Sequence, residues 1–176
     1  MNAEPTLLDP RAIQDLLTRV DAQFPPGRGR LIGFIASGAR EGTSSVAQAY
    51  AGAAATQLRR RVLLLDAAAD PESDANSLVG VLQALAANPR SYEPLNVLDP
   101  ESPGGSAWDS DGAASVWELL PRTDLWFALR DRYDEVVIDL PAPSVSRVGL
   151  AVAPYCDGVA VVVEACLLYT SDAADE

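Results

Sequence analysis

The chain has 176 residues, of which 48% are hydrophobic and 22% charged, enough for one globular domain with a sizeable core and too apolar for a disordered segment. Its net charge of -12 argues against binding to a nucleic-acid backbone, which needs clustered basic groups. All 13 basic residues are arginine and there is no histidine, so histidine catalysis and histidine metal sites are excluded outright. Two cysteines, Cys156 and Cys166, make no disulfide framework and point to a reducing compartment. No basic-then-apolar leader opens the sequence, and no apolar run approaches the roughly 20 residues of a membrane span. The expected location is the cytoplasm.

In chain order, Pro10 to Phe24 reads as a helix with Asp9 and Pro10 as cap and first turn, and Leu16, Leu17, Val20 and Phe24 near one face. Pro25 to Arg30 is a linker. Leu31 to Ala36 is an unbroken apolar run, the pattern of a strand buried on both faces of a parallel sheet. After a small-residue loop, a helix is expected over Thr43 to Arg60, with Val46, Tyr50, Ala53 and Leu58 inward. Val62 to Leu65 is a second buried strand ending in Asp66, and Ser77 to Ala87 suits a short helix. Leu95 to Leu98 reads as a strand, and Asp99 to Gly112, rich in Pro, Gly, Ser and Asp, as an exposed loop. Ser115 to Arg132 is helical with a break at Pro121. Glu135 to Asp139 and Gly158 to Val163 complete the strands. The alternation of strand and helix predicts an α/β fold with a doubly wound, mostly parallel sheet.

The final residues, Cys166 to Glu176 (CLLYTSDAADE), follow the last strand without turn or capping logic. They resemble one reading frame of a transposon-end sequencing adapter. The expected division is therefore an N-terminal helix and linker (1–30), an incomplete nucleotide-binding-type domain (31–165), and a non-native read-through (166–176) in which Cys166 has no role.

Ligands of open parallel sheets sit at the carboxyl ends of the strands. There, the loop ASGAREGTSS (Ala36 to Ser45) precedes a helix, so its backbone amides and the helix start can be aimed at phosphate oxygens. Asp66 and Asp139 end two strands, and carboxylates so placed can hold Mg2+ directly or through water, with the Ser44 hydroxyl as a further ligand. Trp108, Trp117 and Trp126 are too dispersed for a stacking platform, and Cys156 reads as a small core hydrophobe.

Three segments, LIGFIASGAREGTSSVAQAYA, RVLLLDAAADP and YDEVVIDLPAPSVSRVGLAVAPYCDGVAVVVEA, resemble in order and spacing the bacterial tyrosine autokinases, P-loop domains of capsular and exopolysaccharide export that are related to the partition and division-site ATPases. The resemblance implies a P-loop NTPase-like fold, ATP or ADP with Mg2+ as cofactors, a membrane chain-length or export protein as partner, the inner membrane face as its place, and homo-oligomers. It places Gly38, Ala39, Arg40, Glu41, Gly42, Thr43, Ser44 and Ser45 in the nucleotide loop, Asp66 and Asp139 in the catalytic pair, and Ser44, Asp66 and Asp139 around the metal. Asp157 and Gly158 match the turn before the next strand.

The departures fall on charge. Thr43 stands where the family has its phosphate-neutralising lysine, Arg40 where a glycine is usual, Ala68 for a second aspartate and Asp70 at a usually basic position. Gly38 sits where the partition group has its signature lysine, and the tyrosine cluster that such kinases phosphorylate would lie beyond Ala165. The expectation is a degenerate, inactive or weak kinase-like protein; the rivals are an active autokinase in which Arg40 compensates, and a positioning-type ATPase.

Overall fold

The computed structural model describes residues 9–24, 27–39, 41–70, 74, 76–87 and 115–163. The expected strand at Leu95 to Leu98, the loop after it, Trp108, Arg40 and the segment 166–176 lie outside the described residues.

Helix α1 (Pro10–Gln23) starts as the sequence implies, with Pro10 in its first turn and the Asp9 carboxylate accepting from the Arg11 amide at 3.0 Å. Its buried face is Ile13 and Leu17, flanked by Leu16, Val20 and Phe24. Strand β1 (Arg30–Ala36) is buried along its whole length. Helix α2 (Thr43–Gln57) ends before the expected Arg60, because Arg59 takes a left-handed φ of 52° and turns the chain out of the helix. Leu58, expected inward, is exposed in that turn. Tyr50 and Ala53 are buried as expected and Val46 is partly so, and Ala47, Ala51 and Ala54 join them, the alanines letting the helix lie close on the sheet.

Strand β2 (Val62–Asp66) leads to α3 (Leu78–Ala87). The helical stretch expected from Ser115 is split around Pro121 into α4 (Val116–Leu119) and α5 (Thr123–Arg132). Ser115 and Glu118 form a capping box on α4, and the Trp126 indole N–H donates to the Leu120 carbonyl at 2.9 Å across the break. Trp126 is therefore core, whereas Trp117 is exposed. Strand β3 (Glu135–Leu140), helix α6 (Val148–Val152), a 3-10 turn (Ala153–Tyr155) and strand β4 (Gly158–Val162) follow. Gly149 in α6 is required by contact: a Cβ there would lie 2.4 Å from the Pro141 carbonyl oxygen.

The four strands form one all-parallel sheet in the order β2-β3-β1-β4. The β1-to-β2 connection runs across the sheet one way, and the β2-to-β3 and β3-to-β4 connections run the other. Right-handed crossovers must then place α2 on one face and the later helices on the other. The core divides accordingly. Ile32, Phe34, Val62 and Val137 pack with α1 and α2 on one side, while Leu31, Leu63, Leu65, Val136 and Ile138 pack with α3, α5 and Val152 on the other. Because the chain leaves β1 and β3 toward opposite faces, a crevice opens between their carboxyl ends. Among the described residues no helix is long and apolar enough to cross a membrane.

Candidate functional site

That crevice is an open cleft of about 580 Å³. Gly38, Ala39, Glu41, Gly42, Thr43, Ser44, Ser45, Asp66 and Asp139 all line it. It thus gathers, at the ends of β1, β2 and β3, every described site residue expected from the sequence, Arg40 lying outside the described residues.

Gly42 opens α2 with a left-handed φ of 76°, a conformation that glycine adopts without the penalty a side chain would incur. No side chain caps the helix, and its first backbone bond is from the Val46 amide to the Gly42 carbonyl at 3.0 Å. The amides of Thr43, Ser44 and Ser45 therefore have no acceptor within the helix, and they carry the positive end of its dipole. The Thr43 side chain is buried, and its hydroxyl has no hydrogen-bond partner among the described residues. Before the helix, Glu41 folds back on Ser37: the carboxylate accepts from the Ser37 amide at 3.0 Å and from its hydroxyl at 2.8 and 2.9 Å.

Asp66 and Asp139 are register partners on neighbouring strands. Asp66 turns inward on its own loop, one oxygen accepting from the amides of Ala68 at 2.7 Å and Ala69 at 3.2 Å. Asp139 shares the cleft with Ser44. Burial pushes the Asp139 carboxyl above the usual range; the Ser44 hydroxyl opposes that shift and the neighbouring Asp66 charge adds to it. Among the described residues no group of three or more histidine, cysteine or acidic side chains is arranged as a metal cage. The donor set offers two carboxylates and one hydroxyl, which suits a largely hydrated Mg2+ better than a dehydrated ion. The backbone cradle fits a phosphate oxyanion; the side chains supply no described cation to neutralise it.

Other members of the cleft, apart from Pro141 of the third family-like segment, are not singled out by the sequence. Leu140, Pro141, Ala142 and Val145 form its apolar wall, although LPAP reads only as the end of a strand. Ser37, which holds Glu41 at the edge of the cleft lining, is recognisable only as a hydroxyl directly after β1.

At the opposite end of the sheet the structure assembles something the sequence does not announce. Glu135, fully buried, accepts from the Tyr50 hydroxyl at 2.6 Å, from Arg30 at 3.1 Å and from Arg60 at 3.0 Å. Asp21 of α1 closes the array, bridging Arg30 at 2.5 Å and Arg60 at 2.7 and 2.8 Å. Burial and the Glu135 carboxylate raise the Tyr50 pKa, keeping that hydroxyl a donor. The Arg59 to Arg61 run is in large part spent here, since Arg61 also pairs with Asp134 at 3.2 Å. Asp157 lies at this end too, accepting from the Leu31 amide at 2.7 Å and pairing with Arg130 at 3.1 Å. Beneath Gly33, burial pushes the Cys156 thiol up to about 12, which leaves it unreactive.

Among solved structures, the chain is similar to the kinase domain of Escherichia coli tyrosine kinase ETK, with 20% identity and a TM-score of 0.57 over 87% of this chain and 62% of that one. It is also similar to the chimerical protein CapA2B2, with 19% identity and a TM-score of 0.56 over 91% of this chain and 72% of that one. The chain thus spans less than two thirds of the ETK kinase domain. At these identities the likeness is one of fold, and it establishes the α/β, P-loop NTPase-like architecture. No protein-family profile and no curated protein sequence matches the chain.

Proposed function

We propose that this protein is a kinase-like P-loop domain of the bacterial tyrosine autokinase type whose charge-handling loop has been dismantled. It acts as a regulatory partner of a membrane chain-length or export protein in capsular or exopolysaccharide production, at the cytoplasmic face of the membrane and as a homo-oligomer. Residues 31–165 are the unit that would carry this role, with 1–30 as an accessory helix and linker. The observation that carries the reading is Thr43: the position of the loop lysine holds a buried hydroxyl with no described partner, in a chain that has no lysine at all. The fold likeness to a tyrosine kinase domain and the placement of Asp66, Asp139 and Ser44 on one cleft support the ancestry.

If ATP or ADP is bound, the amides of Thr43, Ser44 and Ser45 would meet its phosphates. Ser44, Asp139 and Asp66 would hold Mg2+, which supplies charge neutralisation. Losing one charge-stabilising donor costs phosphoryl transfer about 3–4 kcal/mol, several hundredfold in rate. The test is calorimetric titration with Mg-ATP of the wild type and Thr43→Lys side by side, followed by autophosphorylation. The expected result is weak or absent binding by wild type, binding regained in Thr43→Lys, and no phosphotyrosine on the wild type. Tight wild-type binding with self-labelling would overturn the reading in favour of an active kinase.

A further inference from the structure

Glu41 is the loop's acidic side chain, and it is held rather than free. Both oxygens of its carboxylate accept from Ser37, and one of them lies 3.0 Å from the point where a Cβ on Gly38 would sit, so the group rests against the loop's own first turn. It lines the cleft together with Asp66 and Asp139, and no described residue of that lining is a cation. Among the described residues, and so leaving aside Arg40 of the same loop, a bare polyphosphate entering here would meet three carboxylates and only backbone dipoles in return. The same ligand carrying a divalent cation would meet charges of the opposite sign.

On the reading of this loop as a remnant nucleotide site, we infer that Glu41, pinned on Ser37, is a specificity-determining residue that excludes metal-free polyphosphates and admits only the metal-neutralised nucleotide. Its role is one of charge. A glutamine oxygen can still accept from the Ser37 amide, so Glu41→Gln keeps the fold-back and removes the repulsion. Two charges a few ångströms apart near a protein surface interact by an amount worth about tenfold or more in affinity.

The experiment is calorimetry with ATP in EDTA and with Mg-ATP on Thr43→Lys and on the double variant Thr43→Lys/Glu41→Gln, a background chosen so that binding is measurable. The double variant should bind metal-free ATP roughly tenfold more tightly, with a much smaller change for Mg-ATP, so that the preference for the metal complex collapses. Ser37→Ala in the same background removes a tether but not the charge, and should leave that preference in place. If Glu41→Gln changes both ligands equally, or neither, the inference is overturned while the reading of the loop stands. If Thr43→Lys itself fails to bind either ligand with its fold intact by circular dichroism, the nucleotide reading falls and takes the inference with it.

Discussion

The two ends of the β1–β3 strand pair treat their carboxylates in opposite ways. At the amino end, Arg30 and Glu135 are register partners, and Tyr50, Arg60 and Asp21 close around them until both oxygens of the buried carboxylate are engaged. At the carboxyl end, Asp139 sits beside Asp66 with its pKa raised, and the Thr43 hydroxyl is buried without a described partner. A satisfied buried network stabilises and rigidifies, whereas an unpaired group costs its desolvation. The contrast lies in the carboxylates. Glu135 is fully paired at the end that holds the sheet and α1 together, although the Arg30 Nε there is buried without a partner among the described residues. Asp66 and Asp139 share a cleft with no described cation at the end where a ligand would be bound.

The largest effect is expected from breaking the satisfied end. Glu135→Ala would leave Arg30 and Arg60 facing each other with Asp21 as their common counter-charge, and removing one partner of a buried ion pair costs about 3–5 kcal/mol. Urea denaturation should show a lowered midpoint of that size; an unchanged midpoint would mean the network contributes nothing net. At the other end the sign reverses. Thr43→Val keeps the β-branched shape and deletes only the orphan hydroxyl, so thermal unfolding should be unchanged or shifted upward by about 1 kcal/mol. A clear loss would show that the hydroxyl is bonded after all.

The smallest effect is pH-dependent and sharpens the same contrast. Asp21 is held below the usual aspartate range, first by its bond to Arg60 and then by Arg30, with burial opposing. A carboxyl with a depressed folded pKa contributes stability that is present above its unfolded value and lost as pH falls through the folded one. Asp139 is raised, so its contribution runs the other way: present below the unfolded value and lost as pH rises through the folded one. Taking pH down through the carboxylate range should therefore loosen α1, read as faster proteolysis near Gln23, and Asp21→Asn should remove most of that pH dependence. Proteolysis at the same rate across this range would argue that apolar packing of Ile13 and Leu17 alone holds the helix.

Much of this architecture is legible in the sequence because buried parallel strands advertise themselves. LIGFIA, VLLLD and EVVID are short continuous apolar runs, and the residues that end them, Ser37, Asp66 and Asp139, fall at the carboxyl edge where parallel sheets bind ligands. Helix α6 was not recognisable, since five residues of Val, Gly, Leu and Ala carry no period that distinguishes helix from loop. The sequence pattern carries α2 too far, because Leu58 and the arginines after it favour helix locally and the turn at Arg59 is a tertiary decision. The network around Glu135 draws on positions 21, 30, 50, 60 and 135, and nothing local links residues so far apart. Equally, the substitution at Thr43 can be read from the sequence, but whether its hydroxyl finds a partner cannot.

The register of β1 on β3 also sets a clock. Arg30 finds its partner Glu135 only 105 residues further along the chain. At synthesis rates of about 5–20 residues per second, the central strand of the sheet waits roughly 5–20 s for its neighbour to be made. During that interval LIGFIA is exposed on both faces, and the local elements able to shelter it are α1 before it and α2 after it. Their mutual packing through Ile13, Leu17, Ala47 and Tyr50 therefore gives the nascent chain a way to cover one face of β1 before the sheet exists.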